Sequence, residues 1–272
     1  MHKISLSFLT VFDVGPVEAV RIAAATGYDM VGLRILPAAP GAEQDYPLLY
    51  DDSLLKEVSS AMKETGVVVA DVEIVRLGKE NDWDLFDRFC DRCAALGARH
   101  VLVAGDDPEK DRLVGSMRRF CEMAGERALT ADLEFMPWTG VPDLKAARAI
   151  VEATGCANAG VLVDALHFDR SATTLEEVAA LPRQRINYVQ FCDGAVPYDE
   201  TTSGLIQVAR GERLLPGFGG IDLVGLTRII PDDVPIAVEV PHTASAAKID
   251  ARGRAALARE ATLGILRSAK RG

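Results

Sequence analysis

The chain has 272 residues, of which 49% are hydrophobic and 26% charged, with a net charge of −10. That length suits one large domain, and the apolar share suits an ordinary packed core. The acidic balance opposes binding to nucleic acid or anionic lipid. No run approaches the roughly 18 apolar residues of a membrane span. The opening segment MHKISLSFLTVFDVG lacks the apolar length and cleavage site of a signal peptide. A cytoplasmic location is therefore expected, with neither nucleic acid nor membrane as a partner.

Short apolar runs alternate with longer helical patterns along the chain. ISLSFL begins at Ile4 and is followed by a helical pattern closing at Gly27. DMVGLRI begins at Asp29; the next helix is expected to take Ser53 as its N-cap and Gly66 as its stop. VVVADVEIV begins at Val67, and DWDLFDRFCDRCAALG closes at Gly97. HVLVAG begins at His100, and its helix is expected to carry Pro108 in the first turn. TADLEFM begins at Thr130, with a helix closing at Gly155. AGVLVDAL begins at Ala159, and TLEEVAALP stops at Pro182. INYVQFC begins at Ile186 and leads into a long polar stretch, DGAVPYDETTSGLIQVARGERLLPGFGG. That stretch reads as an irregular loop of a length that usually carries function, ahead of a short helix over 221–227. PIAVEV begins at Pro235, and a last helix covers 251–270.

The eight apolar runs are rich in Val, Ile and Leu and mostly do not alternate, as strands buried on both faces should be. The helix–Gly–strand cadence recurs about every 30 residues, the length of one βαβ unit. An α/β fold follows, a (β/α)8 TIM barrel in a single domain over 1–272. A doubly wound open sheet is the alternative, but no glycine fingerprint follows the first strand. The five cysteines are odd in number and read as reduced thiols. Cys90 and Cys93 form a CxxC inside a helical pattern, where packing is the simpler reading.

In such a barrel the C-terminal strand ends form the active face. Those ends carry Arg34, Glu73, Glu134, Asp164 with His167, Gln190 with Asp193, and Glu239 with His242. Glu134, Asp164, Gln190 and Glu239 each interrupt an apolar run on strands five to eight, which are neighbours. Three carboxylates in one closed pocket cannot all stay ionised without a cation. An oxygen-rich set of this kind suits Mg²⁺ or Mn²⁺, with Co²⁺ and Zn²⁺ also accepted. Arg213 and Arg210 are candidates for a substrate hydroxyl, carboxylate or phosphate. Arg34 and Glu73 are placed to pair, or Glu73 to touch substrate, and Trp138 to wall the pocket. No nucleotide-binding glycine loop and no GxSxG nucleophile elbow occurs.

These residues carry a resemblance. From LEFMPW (Glu134) through DALH (Asp164, His167), VQFCD (Gln190), RLLPGFGGIDL and VEV (Glu239), the chain resembles the xylose isomerase-like TIM-barrel superfamily. That superfamily holds sugar and sugar-phosphate isomerases and epimerases, inosose dehydratases and 3-dehydroshikimate dehydratases. The resemblance covers nearly the whole chain, and Pro216 to Asp222, the PGxGxxD element, is its most specific piece. It implies metal ligation by Glu134, Asp164, Gln190 and Glu239. It also implies proton transfer next to a carbonyl by Glu134 and Glu239 through a metal-stabilised enediolate, and contact of His167 with a substrate oxygen. The implied substrate is a small polyhydroxylated carbonyl compound, and the implied assembly a homo-oligomer.

Sugar epimerases usually carry histidine at the third ligand position, whereas dehydroshikimate dehydratases can carry glutamine, as here. Isomerisation or epimerisation is the leading reading and dehydration the alternative. A DNA-repair endonuclease of the superfamily would need a histidine-rich three-zinc site, and this chain has only His2, His100, His167 and His242. A non-catalytic barrel that keeps the ligand set is the remaining alternative.

Overall fold

The computed structural model describes residues 2–38 and 46–271. Its strands are β1 Ile4–Leu6, β2 Met30–Arg34, β3 Val68–Leu77, β4 His100–Gly105, β5 Thr130–Glu134, β6 Ala159–Asp164, β7 Val189–Phe191 and β8 Ile236–Val238. All pair in parallel with their sequence neighbours, and β8 pairs with β1, giving a closed barrel in the order β1 to β8. The helices are α1 Pro16–Thr26, α2 Asp52–Thr65, α3 Trp83–Ala95, α4 Lys110–Gly125, α5 Leu144–Thr154, α6 Ala165–Arg170, α7 Leu175–Ala179, α8 Thr202–Gly211, α9 Leu223–Ile229, α10 Thr243–Ala246 and α11 Ala251–Lys270. The expected (β/α)8 barrel is what the chain forms. None of these helices is long and apolar enough to cross a membrane.

The burial pattern follows from the strand repeat. Val101, Val103, Leu133, Val161 and Val163 face outward into the large core shared with the helices. Their alternates Leu102, Ala104 and Leu162, with Ile74, Met136, Tyr188 and Ala237, form a second, smaller cluster inside the barrel. Because both faces are covered, the strands carry near-continuous apolar runs. The inner face also holds two fully buried acids, Asp71 on β3 and Asp132 on β5. Glycines on adjoining strands make room for them. A Cβ at Gly32 would sit 2.8 Å from Asp71 Oδ2, and one at Gly160 only 2.1 Å from Asp132 Oδ1.

Local chemistry sets the element boundaries and corrects several expectations. Helix α2 is capped by Asp51, whose carboxylate accepts from the Ser53 and Leu54 amides, so Ser53 lies inside the first turn. Helix α4 starts at Lys110 behind a Glu109 cap, which leaves Pro108 outside it. The short helix expected over 221–227 runs from Leu223 to Ile229, because the Asp222 side chain caps it through the Gly225 amide. The polar stretch after β7 is not wholly irregular, since it contains α8, capped by Thr201. Cys90 and Cys93 are fully buried on α3, and burial pushes the Cys90 thiol up to about 12, which fits packing.

Candidate active site

Strand β6 ends where Asp164 turns its carboxylate back onto the following helix. Oδ1 accepts from the Leu166 amide at 2.8 Å and the His167 amide at 3.1 Å, so Asp164 caps α6. That cap fixes His167 in the first turn, facing β5. His167 Nε2 lies 3.8 Å from Glu134 Oε1, and its ring meets Trp138 edge-on at 5.1 Å. Glu134, Asp164 and His167 offer donor atoms that all lie within 4.8 Å of one another.

Glu239 continues β8 into the same region. Its Oε1 accepts from the Ser7 hydroxyl and from Gln190 Nε2, each at 2.9 Å. Its Oε2 lies 3.1 Å from Arg213 Nη2, while Arg213 Nη1 reaches Asp164 Oδ2 at 2.5 Å. The guanidinium thus bridges carboxylates on β6 and β8, and it is buried. Its place depends on Asp193. The backbones of Asp193 and Leu214 exchange hydrogen bonds at 2.8 Å each way. The Asp193 carboxylate accepts from the amides of Gly194, Gly217 and Ile221. The PGFGG loop therefore folds around Asp193; a Cβ at Gly219 would lie 2.3 Å from the Gly194 carbonyl oxygen, so only glycine fits there.

Protonation follows from burial and charge. Burial pushes the Glu239 carboxyl up to about 7, with Arg213 pulling the other way. Glu134 is driven well above the carboxylate range by burial and by the negative charges of Asp164 and Glu239. Asp164 is lowered, because Arg213, His167 and the cap hydrogen bonds outweigh its burial. Burial lowers His167 to about 4, so the imidazole is neutral near pH 7.

The other sequence candidates fall around this centre. Arg34 and Glu73 are register partners on β2 and β3 and pair at 2.5 Å, with the guanidinium over the Phe8 ring. One cavity is lined by Glu134, Glu239, His167, Glu73, Arg34 and Trp138, and also by Arg210 and Arg213. Arg210 is exposed in the last turn of α8. His242 caps α10 through Nδ1 and does not line this cavity. The sequence reading did not pick out Ser7 at the end of β1, or Arg76, which lines the cavity and holds Asp106 through two 2.7 Å hydrogen bonds. Arg76 lay one residue beyond the predicted third strand. Ser7 lay inside the first predicted run, where a small hydroxyl gives no pattern signal.

The donor set fits a divalent cation. Glu134 and Glu239 line one cavity, Glu134, Asp164 and His167 bring donor atoms within 4.8 Å of one another, and Gln190, which donates to Glu239 through Nε2, keeps its Oε1 buried without a hydrogen-bond partner. An amide oxygen beside carboxylates is hard-cation chemistry. Glu134 and Asp164 would hold the ion together with His167, whose donor atom already lies among theirs, and Glu239 with Gln190 would complete the set expected from sequence.

Residues 20–262 match the family model described as xylose isomerase-like TIM barrel. No curated protein matches by sequence. Among solved structures, one similar chain is a xylose isomerase-like TIM barrel/4-hydroxyphenylpyruvate dioxygenase fusion protein, at 19% identity and TM-score 0.82. It covers 98% of this chain, which spans only 43% of that longer protein. A second is the IolI protein with a bound zinc atom, at 17% identity and TM-score 0.80, covering 98% of each chain. A third is a D-allulose 3-epimerase from Methylomonas sp., at 16% identity and TM-score 0.70, covering 97% of this chain and 98% of the other. At these identities the likeness establishes the fold.

Proposed function

The chain belongs to the xylose isomerase-like TIM-barrel family, and from that premise we propose that it is a divalent-metal-dependent isomerase or epimerase of a small polyhydroxylated carbonyl compound. The observation that carries this reading is the presence of Glu134, Glu239 and neutral His167 in one cavity at the C-terminal strand ends. Glu134 ends β5 and Glu239 directly follows β8, three strands apart around the barrel, and so the two flank a bound substrate. One removes the proton next to the carbonyl, and the other returns it to the adjoining carbon or the opposite face. Glu239 is held in place for that transfer by the Ser7 hydroxyl and Gln190 Nε2. His167 contacts a substrate oxygen, Trp138 walls the pocket, and Arg210 at the mouth suits a carboxylate or phosphate substituent. A bound Mn²⁺ or Mg²⁺, with Co²⁺ or Zn²⁺ as alternatives, would supply Lewis acidity toward the substrate's carbonyl and hydroxyl oxygens. The similar IolI protein with its bound zinc atom and the similar D-allulose 3-epimerase support this reading.

A second reading is favoured by Gln190 and by the arginines Arg34, Arg76 and Arg210 around the cavity. These suit a dehydratase acting on a carboxylated or inosose-type substrate, in which the same proton abstraction is followed by loss of a β-hydroxyl.

The test is a solvent-deuterium panel. Mn²⁺-loaded protein is incubated in D₂O with ketoses, ketose phosphates, inososes and 3-dehydroshikimate. Deuterium entering next to a carbonyl, with an isomeric product, supports the first reading; loss of water supports the second. In either case Glu134→Gln should cut the rate by about 10²–10⁴. Bound metal without exchange on any compound would sink both readings and leave a non-catalytic barrel.

A further inference from the structure

Arg213 is the cation inside the acidic site, and its contacts use the oxygens a metal would need. Nη1 takes Asp164 Oδ2 at 2.5 Å and Nη2 takes Glu239 Oε2 at 3.1 Å. Its Nε donates to the Ala209 carbonyl oxygen at 3.0 Å. The side chain is only 3% exposed. Yet the guanidinium leaves the site incomplete, since Gln190 Oε1 and His167 Nδ1 remain buried without partners. A guanidinium and a divalent ion sharing two carboxylates in a low-dielectric space would repel each other strongly. They would also compete for the same lone pairs.

We propose that Arg213 is a built-in counter-ion that occupies the acidic site in the metal-free protein and is displaced when a divalent cation binds. This rests on the metal-site reading above. The displacement is a side-chain rotation, because the backbone at Arg213 is pinned. Its amide donates to the Pro241 carbonyl oxygen at 3.1 Å, and the next residue exchanges hydrogen bonds with Asp193. The side chain has somewhere to go. It borders the catalytic cavity, whose wall also carries the carboxylate of Glu73. Metal affinity is therefore set against an internal competitor, and metal loading turns a buried guanidinium into one free to meet an anion.

Two measurements without substrate test this. Calorimetric titration with Mn²⁺ should give one site in wild type and about tenfold or more tighter binding in Arg213→Met, where the competing charge is gone. In wild type alone, phenylglyoxal modification of Arg213, mapped by peptide mass spectrometry, should be slow without Mn²⁺ and several-fold faster with it. The second measurement stands even if Arg213→Met fails to fold. Equal or weaker Mn²⁺ binding by a folded Arg213→Met, or modification unaffected by Mn²⁺ in a protein that binds it, overturns the counter-ion role and leaves the metal site standing. No Mn²⁺ binding by wild type together with binding by Arg213→Met overturns the displacement, because the arginine then excludes the ion instead of yielding to it. No binding by either removes the metal-site reading and this inference with it.

Discussion

At the level of single residues, His167 has the clearest consequence. Its backbone amide is held by the Asp164 cap, its ring rests on Trp138, and its Nε2 lies 3.8 Å from Glu134. Burial keeps the imidazole uncharged, down to about 4. It can therefore meet a substrate oxygen as a neutral hydrogen-bond donor near pH 7. His167→Gln should lower kcat by about 10²–10⁴ on whichever substrate exchanges, while Mn²⁺ stoichiometry stays at one per chain. Loss of Mn²⁺ in that variant would make His167 an indispensable ligand instead. The sequence marked such residues because each breaks an apolar run: Glu239 in PIAVEV and Asp164 in VLVDAL are conspicuous. It did not reveal what holds Glu239. The partner, Arg213, lies 49 residues from Asp164 and reaches the site only through the loop folded around Asp193.

At the level of elements, the barrel wall carries its own titrating pair. Asp132 on β5 accepts from the Thr130 hydroxyl at 2.6 Å and the Asn187 amide at 2.6 Å, and His100 Nδ1 on β4 lies 3.8 Å away. Burial raises the Asp132 carboxyl from 3.8 to about 7, against those hydrogen bonds. Burial and Arg99 lower His100 from 6.5 to about 4. The signs are opposite. Asp132 contributes stability below its unfolded value that is lost as pH rises through about 7. His100 contributes stability above its unfolded value that is lost as pH falls through about 4. In Asp132→Asn the first slope disappears. Wild-type unfolding free energy should therefore fall relative to the variant between pH 4 and 7, by about 1.4 kcal/mol for each unit of raised pKa. Urea titrations at several pH values would measure this, and parallel pH profiles would refute it. Elements whose signals were local were legible. Strand β4 and helix α11 match their expected bounds to the residue, and Gly27, Gly66 and Gly155 stop their helices at positive φ. Elements set by long-range contact were not. Strands β7 and β8 are three residues each, shorter than their apolar runs, and α8 was hidden in a polar stretch.

The whole molecule depends on closing the ring between β8 and β1, two strands of three residues each that are joined late in the sequence. So short a ladder needs side-chain help, and Thr10 supplies it from the turn after β1. Its hydroxyl donates to the Val238 carbonyl oxygen at 2.8 Å and accepts from the Val240 amide at 2.8 Å, clamping both sides of Glu239. Arg254 of α11 adds a bond to the Thr10 carbonyl oxygen at 3.2 Å and an ion pair with Asp13, which ties the last helix to the same seam. Thr10→Val keeps the shape and removes the hydroxyl. The Val238 carbonyl oxygen retains the Ser7 amide, but the Val240 amide is left buried and unpaired. Such a group costs about 1–3 kcal/mol, so Tm should drop by several degrees for a chain of this size. Metal affinity should weaken as well, because Glu239 sits between the two clamped residues and Ser7 reaches it from the same turn. Calorimetry with and without Mn²⁺ separates the effects. A Tm loss without change in Mn²⁺ affinity would mean that Thr10 holds only the seam. A matched loss in both would mean that barrel closure and site geometry are one structure.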